Sequence, residues 1–137
     1  MILVNQMASA QPVIALGCSR NSVLYDNMNS PEWRLIERDR LQLTYISDST
    51  LTEVTYFFAP DDLCRLNKTC VEMQVLFTSR WWLQDYIEKK TDERRLLQVN
   101  YCTYRMITDL YDLPVYVFII SDLRLSIKYK SNSTLNP

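Results

Sequence analysis

Gly17 is the only glycine in this chain of 137 residues, and that scarcity limits the folds that the chain can adopt. A loop that cradles a phosphate needs glycine, because its backbone approaches the ligand closely and a Cβ atom would block the approach. The sequence therefore excludes a glycine-rich phosphate-binding loop and the nucleotide-binding folds that depend on one.

The chain also contains no histidine, which removes much of the usual chemistry of active sites. It has no Ser-His or Cys-His nucleophile and no imidazole metal ligand. The cysteines are scattered without a Cys-x-x-Cys pair, so the sequence contains neither a zinc motif nor a redox motif. They are Cys18, Cys64, Cys70 and Cys102. We predict free thiols, no cofactor, no metal and no enzymatic activity.

One pair of residues has the spacing of a catalytic pair. Tyr86 and Lys90 form a Tyr-x-x-x-Lys sequence, in which a lysine can favour ionisation of the tyrosine. No glycine-rich nucleotide loop precedes the pair. We therefore predict an exposed helix face at these residues and no catalytic role.

The length and composition fit one folded domain. A chain of 137 residues buries roughly 65–70% of the surface that its unfolded form exposes, enough for a hydrophobic core without disulfides or metals. Apolar residues make up 47% and charged residues 23% of the chain, both typical of globular proteins. We predict a single α+β domain over residues 1–130 and a flexible tail over 131–137.

The first half of the chain shows the period of β-strands. Alternating apolar and polar residues over 41–46, and β-branched and aromatic residues over 51–58, predict a hairpin within 33–58. Residues 71–77 predict the next strand. The polar stretch over 20–31 predicts a long loop.

The period then changes to that of helices. Ser79 is a suitable N-cap for a helix over residues 80–90. A second helix is predicted over residues 93–111, because apolar side chains recur there at spacings of 3 and 4. The inner faces of the two helices are formed by Leu83, Tyr86 and Ile87, and by Leu97, Tyr101, Tyr104, Ile107 and Tyr111.

Two strands follow the predicted helices. Residues 115–120 are apolar on both faces, which indicates a buried central strand. Over 123–130, apolar residues alternate with polar and basic ones, which predicts a strand with one wetted basic face. Segregated strands and helices favour an α+β fold, a mostly antiparallel sheet with two consecutive helices inserted before two C-terminal strands. The alternative is a small β-barrel with a helical insertion.

Charge is nearly balanced overall but unevenly distributed. The net charge of −1 gives no general attraction to nucleic acid or to an anionic membrane. Residues 32–62 carry three basic and seven acidic side chains, whereas residues 63–130 carry eleven basic and eight acidic ones. This two-pole distribution suits electrostatic docking on a partner or on a second copy of the chain.

No membrane-spanning or secretory segment is predicted. The longest apolar run, 115–120, is far shorter than the ~20 residues that a membrane helix needs. No basic residue precedes the apolar residues 1–4, as a secretory signal requires. We expect an intracellular protein, in the cytoplasm or nucleus. Glycosylation-type sequons at Asn67 and Asn132 keep a secreted protein open as the alternative.

The remaining positive signal is Arg80-Trp81-Trp82. Neighbouring residues on a helix point about 100° apart, so one indole can enter the core while the other stays outside. We predict that Trp81 is the exposed ring; the alternative is that both indoles cover the edge of the sheet. Trp and Arg are the residue types that dominate binding hot spots. The predicted partner-binding residues are Arg80, Trp81, Arg94, Arg95, Arg124 and Lys128.

These features predict a non-enzymatic protein–protein interaction domain, an adaptor or subunit of an intracellular complex that can also self-associate. The helical segment 80–111 is the first candidate surface. The strand over 123–130 is the second, because an edge strand can add a strand of a partner. The alternative function is a single-stranded nucleic-acid-binding module of small-barrel type, since aromatic rings beside cations also stack on bases.

Overall fold

A computed structural model describes residues 12–28, 30–59, 69–94, 96–106 and 115–130. Two helices lie within them, α1 (Arg20–Met28) and α2 (Arg80–Arg94). The strands are β1 (Trp33–Arg38), β2 (Gln42–Ser47), β3 (Glu53–Phe58), β4 (Cys70–Leu76), β5 (Leu96–Asn100), β6 (Thr103–Met106), β7 (Val115–Ser121) and β8 (Arg124–Lys130).

All eight strands join one antiparallel sheet in the order β1-β2-β3-β4-β8-β7-β6-β5. The α+β class and the mostly antiparallel sheet are confirmed. The sheet is open, because its end strands β1 and β5 are not paired with each other, so the barrel alternative is wrong. β8 pairs with β4 on one side and with β7 on the other. The predicted strand over 123–130 is therefore not at an edge, and strand addition at that place is excluded.

The order of elements repeats along the chain. α1 is followed by β1 to β4, and α2 is followed by β5 to β8. The second set of strands runs across the sheet in the reverse order, so β4 and β8, the last strands of the two sets, are neighbours at its centre. Within the described residues the connectivity is that of two units, each a helix followed by four strands, which meet at the β4–β8 pair.

One face of the sheet carries the hydrophobic core. Tyr56 from β3, Phe118 from β7 and Ile127 from β8 are buried there. α2 packs against this face through Leu83 and Tyr86, which belong to the same cluster. The opposite face carries both polar and apolar side chains: the hydroxyls of Thr44 and Thr55 on neighbouring strands lie 3.0 Å apart, and Val117 and Ile119 of β7 also lie on it.

The segment 12–18, which we call the strap, lies on the core face. Tyr56 donates a hydrogen bond to the carbonyl oxygen of Val13 at 2.8 Å, and Tyr86 donates one to that of Pro12 at 3.3 Å. Because Tyr56 belongs to the sheet and Tyr86 to α2, the strap ties the two layers together.

The strap ends in a β-bulge that contains the single glycine. The N–H of Gly17 donates to the carbonyl of Cys70 at 2.9 Å, and the N–H of Cys70 donates to the carbonyl of Cys18 at 2.8 Å. Two residues of the strap therefore oppose one residue of β4. The first of the two, Gly17, has a φ of 86°, the left-handed conformation that glycine adopts without a steric penalty.

The second predicted helix, over 93–111, is wrong. α2 continues to Arg94, and residues 96–106 form the hairpin of β5 and β6. The Asn100 Oδ1 atom accepts a hydrogen bond from the backbone N–H of Cys102 at 3.0 Å, which stabilises the turn between the two strands. Such a local side-chain bond competes with helix formation. The end of the predicted helix, 107–111, lies outside the described residues.

The predicted loop over 20–31 is also wrong, because α1 occupies most of it. The Ser19 Oγ atom accepts a hydrogen bond from the backbone N–H of Ser22 at 3.1 Å and so caps the helix. The predicted hairpin within 33–58 is a three-stranded meander of β1, β2 and β3. The other predicted strands are confirmed as β4, β7 and β8.

Candidate functional site

The first turn of α2 begins as the sequence predicts. The Ser79 Oγ atom accepts a hydrogen bond from the backbone N–H of Trp82 at 3.3 Å, and the carbonyl of Ser79 accepts one from Leu83 at 3.3 Å. The cap satisfies N–H groups that have no partner within the helix. It fixes the position at which the Arg80-Trp81-Trp82 sequence enters the helix.

The inner face of α2 is the predicted one. Leu83, Tyr86 and Ile87 are buried, and the ring of Tyr86 lies 5.6 Å from that of Phe77. These contacts determine the rotation of the helix about its axis, and so determine which of the two tryptophans faces outward.

Trp81 is the exposed indole, as predicted. It is 63% exposed, whereas Trp82 is half-buried and packs against the core. The two rings meet edge to face, with centroids 4.7 Å apart and an interplanar angle of 85°. This geometry is favourable for aromatic pairs, so the contact with Trp82 stabilises this position of the Trp81 ring, most of which remains exposed.

A groove of about 400 Å³ lies between α2 and the strands β6 and β7. Trp81 follows the lining residue Arg80 in the sequence but does not itself line the groove. Arg80, Gln84 and Glu88 line its helical wall. Arg80 and Glu88 are two turns apart, which corresponds to about 12 Å along the axis, so charges of opposite sign lie at the two ends of this wall.

The opposite wall of the groove includes a residue that the sequence did not predict as a site residue. Tyr101 lies in the turn between β5 and β6 and is 90% exposed. It lines the groove together with Tyr104 and Ile120. The residues Arg80, Trp81, Gln84, Glu88 and Tyr101 are called the α2 surface below.

The predicted partner-binding residues do not form one surface. Arg80 and Trp81 lie together on α2, and Arg94 is its last residue, while Arg95 lies outside the described residues.

Arg124 and Lys128 lie on the sheet face opposite to the helices. They alternate along β8 with the buried Leu125 and Ile127, which belong to the core cluster. The Lys128 Nζ atom is 4.0 Å from a carboxylate oxygen of Glu72. These two cations are therefore separated from Trp81 by the whole sheet.

The structure brings Tyr86 and Lys90 together on the buried side of α2. Contrary to the predicted exposed face, the two residues are only 1% and 8% exposed. The Lys90 Nζ atom lies 5.3 Å from the centroid of the Tyr86 ring, and the hydroxyl of Tyr86 donates to the carbonyl of Pro12. The hydroxyl is thus part of the attachment of the strap and is not open to a substrate.

The described cysteines are Cys18, Cys70 and Cys102, and they form no disulfide with one another. Burial raises the pKa of the Cys70 thiol to about 12, which keeps it protonated and unreactive at neutral pH. Within the described ranges, no three side chains of the Cys, Asp and Glu types come together in a group that holds a metal ion.

The α2 surface thus combines the exposed indole of Trp81, a groove, and the opposite charges of Arg80 and Glu88. Its five residues do not include a nucleophile beside a base. No helix in the described part of the chain has the length and apolar character needed to cross a membrane. The chain matches no protein-family model, no curated protein and no solved structure.

Proposed function

We propose that the chain is a non-enzymatic protein-binding domain, an adaptor or subunit of an intracellular complex, and that it binds another protein chain through the α2 surface. The observation that carries this proposal is the exposure of Trp81 on a helix whose inner face is buried. An indole that contributes little to the core and remains 63% exposed is available to a partner.

Trp81 is prepared for binding before a partner arrives. Its ring is held by the edge-to-face contact with Trp82, and its helix is held by the cap at Ser79. A rotamer that is already fixed loses little conformational entropy on association. Tryptophan beside arginine is also the combination most often found at the centre of protein interfaces.

The groove lined by Arg80 gives the partner a defined direction. Arg80 and Glu88 lie at its two ends, and Tyr101 forms part of the opposite wall. Opposite charges on one wall favour a segment with complementary charges in one orientation and disfavour the reverse orientation. These features support recognition of a peptide segment or helix of another protein.

A protein is favoured over single-stranded nucleic acid by the distribution of cations. Base stacking on Trp81 would need nearby positive charge to hold the phosphates. Arg124 and Lys128 lie on the opposite face of the sheet, which leaves Arg80 as the one cation among the described residues that line the groove, and the carboxylate of Glu88 in the same groove opposes its charge.

The test begins with affinity purification of the tagged chain from its native cells, with and without nuclease, to obtain a partner. The Trp81→Ala variant is then compared with the parent in binding that partner. Loss of a hot-spot indole costs at least ~1–2 kcal/mol, so we expect affinity to fall by about 5- to 30-fold. Circular dichroism and thermal unfolding verify that the variant is folded.

Tyr25→Ala is the matched control. Tyr25 is another strongly exposed aromatic residue, but it lies on α1. We expect this variant to bind the partner like the parent. Undiminished binding by folded Trp81→Ala protein would refute the proposed surface, and release of every partner by nuclease would favour nucleic acid instead.

A further inference from the structure

A second groove lies at the other end of the sheet, between α1 and the edge strand β1, and has a volume of about 510 Å³. Its walls are formed mainly by Leu24 and Met28 from α1, by Trp33 and Leu35 from β1, and by Tyr45 from β2. Sites for small ligands have volumes of about 300–1,000 Å³ and mainly apolar walls with a few polar groups. The groove thus has the size and lining of a small-molecule site.

The groove is elongated along α1. Asn21, Leu24 and Met28 lie three and four residues apart on one face of the helix, which extends for about 10 Å between the first and the last of them. The groove is open, since Tyr25 is 69% and Met28 72% exposed, and Asn21 and Asn27 add polar groups to its lining. Methionine is unbranched and flexible, so Met28 can close over an alkyl chain.

One end of the groove is positively charged. Arg38 is the single charged side chain that lines it, and it makes no hydrogen bond or ion pair with the described part of the chain. Burial raises the pKa of Tyr45, and the nearby guanidinium groups of Arg20 and Arg38 act in the opposite direction. Arg20 is held in place by donating to the carbonyl oxygen of Asp39 from Nε and Nη2, at 3.2 and 2.9 Å.

We propose that this groove binds a medium-chain fatty acid, with its carboxylate on the guanidinium of Arg38 and its alkyl chain along α1. An apolar trough about two helical turns long with a cation at one end is complementary to a molecule that has an apolar body and a single terminal anion. Arginine binds a carboxylate with two parallel hydrogen bonds, which fixes the orientation of the chain. The site is separate from the α2 surface and does not depend on the function proposed for it.

An extended peptide added to the edge of β1 is the competing occupant, and the edge disfavours it. The register of the β1–β2 pair shifts between Leu35 and Glu37, in the middle of β1. A bulge of this kind interrupts the row of backbone groups with which an added strand would pair. The same shift places Arg38, which is opposite Leu43, on the face where Leu35 lies opposite Tyr45, so both residues line the groove.

The experiment titrates the full chain with hexanoate, octanoate, decanoate and 1-octanol at neutral pH by isothermal titration calorimetry. We expect affinity to rise by up to about fourfold for each added methylene group that becomes buried, and to level off when the chain is longer than the groove. Octanoate binds more tightly than 1-octanol because only the acid carries the charge. Arg38→Gln weakens octanoate binding by about tenfold or more and leaves 1-octanol binding unchanged.

Two control variants test whether the loss of octanoate affinity is specific to Arg38 and to this groove. Arg34 lies on the same strand but pairs with Asp48 at 3.1 Å, so Arg34→Gln retains the affinity of the parent for octanoate. Trp81→Ala also retains it, which separates this site from the α2 surface. Three results would each overturn the proposal: no binding of any acid at millimolar concentration, equal affinity for octanoate and 1-octanol, or equal losses in Arg38→Gln and Arg34→Gln.

Discussion

Gly17, Leu51 and Asp122 are the described residues with positive φ, at 86°, 60° and 57°. A side chain with a Cβ atom costs roughly 1–2 kcal/mol in the left-handed region. Leu51 tolerates this region within a hydrogen-bonded turn, where its N–H donates to the carbonyl of Ser47 at 2.8 Å. Gly17 instead lies in a bulge that attaches the strap to β4, so its conformation affects contacts between separate parts of the core.

We expect Gly17→Ala to lower the free energy of unfolding by about 1–2 kcal/mol, because the new Cβ atom opposes the left-handed conformation. Urea denaturation followed by circular dichroism measures the change. Gly17→Asn is the control and should lose less, since asparagine enters this region more readily. If the alanine variant is as stable as the parent, the bulge does not have the described geometry.

At the scale of elements, β7 presents different environments on its two faces. Phe118 lies in the core opposite Ile127, whereas Ile119 lies on the other face opposite Ser126 and is 38% exposed. Val117 lies on the same face as Ile119 but is buried, so the sequence prediction that 115–120 is a buried strand is right for Phe118 and Val117 and wrong for Ile119. A run that is apolar on both faces does not reveal which of its positions are exposed to solvent.

Phe118→Ala should destabilise the chain by about 3–5 kcal/mol, since it opens a cavity in a closed core. Ile119→Ala on the same strand should cost much less, about 1 kcal/mol, because the side chain is already partly in water. Thermal or urea unfolding of the purified variants compares the two. Similar losses for both would contradict the assigned faces of β7.

The failure to predict β5 has a physical cause. A shift of register between Gln98 and Asn100 places a bulge at Val99, which interrupts the alternation by which a strand is identified. The hairpin is also held by pairing of β6 with β7, which a short window of sequence does not contain. α1 was missed because its described residues bury only Val23, so it lacks an apolar stripe and only its cap at Ser19 indicates it.

The sequence predicted the part of the candidate site that lies on α2, because it predicted that helix. The spacing of Leu83, Tyr86 and Ile87 determines the orientation of the helix, and Trp81 follows from it. Tyr101 was not predictable, since its place depends on the turn between β5 and β6. The alternation along β8 correctly predicted a basic face, but only the layering of the fold shows that this face is turned away from α2.

At the scale of the molecule, the two units share one core. The cluster includes Tyr56 and Val75 from the first unit and Tyr86 and Phe118 from the second. The hydrophobic core is therefore continuous across the two units. The sequence contains no visible internal repeat, because the repetition lies in the connectivity of the elements and not in their residues.

We expect the two units to unfold in a single cooperative transition. Trp33 reports on the first unit, and Trp81 and Trp82 report on the second. In Trp33→Phe, and separately in the double variant Trp81→Phe with Trp82→Phe, the fluorescence midpoint in urea should coincide with the midpoint of circular dichroism. A fluorescence transition that precedes the loss of secondary structure in either variant would show independent units.

The β4–β8 pair, which connects the two units, has a consequence for the behaviour of the protein at high concentration. The backbone ladder from Glu72↔Lys128 to Leu76↔Arg124 does not distinguish the β8 of its own chain from that of another copy. Residues 77–79 tether α2 directly to β4, and a short tether holds the second unit near the first at an effective concentration in the millimolar range. In dilute solution mass action therefore keeps the β4–β8 pair within one chain. Exchange of units between two copies competes only when the protein concentration approaches the effective concentration that the tether provides.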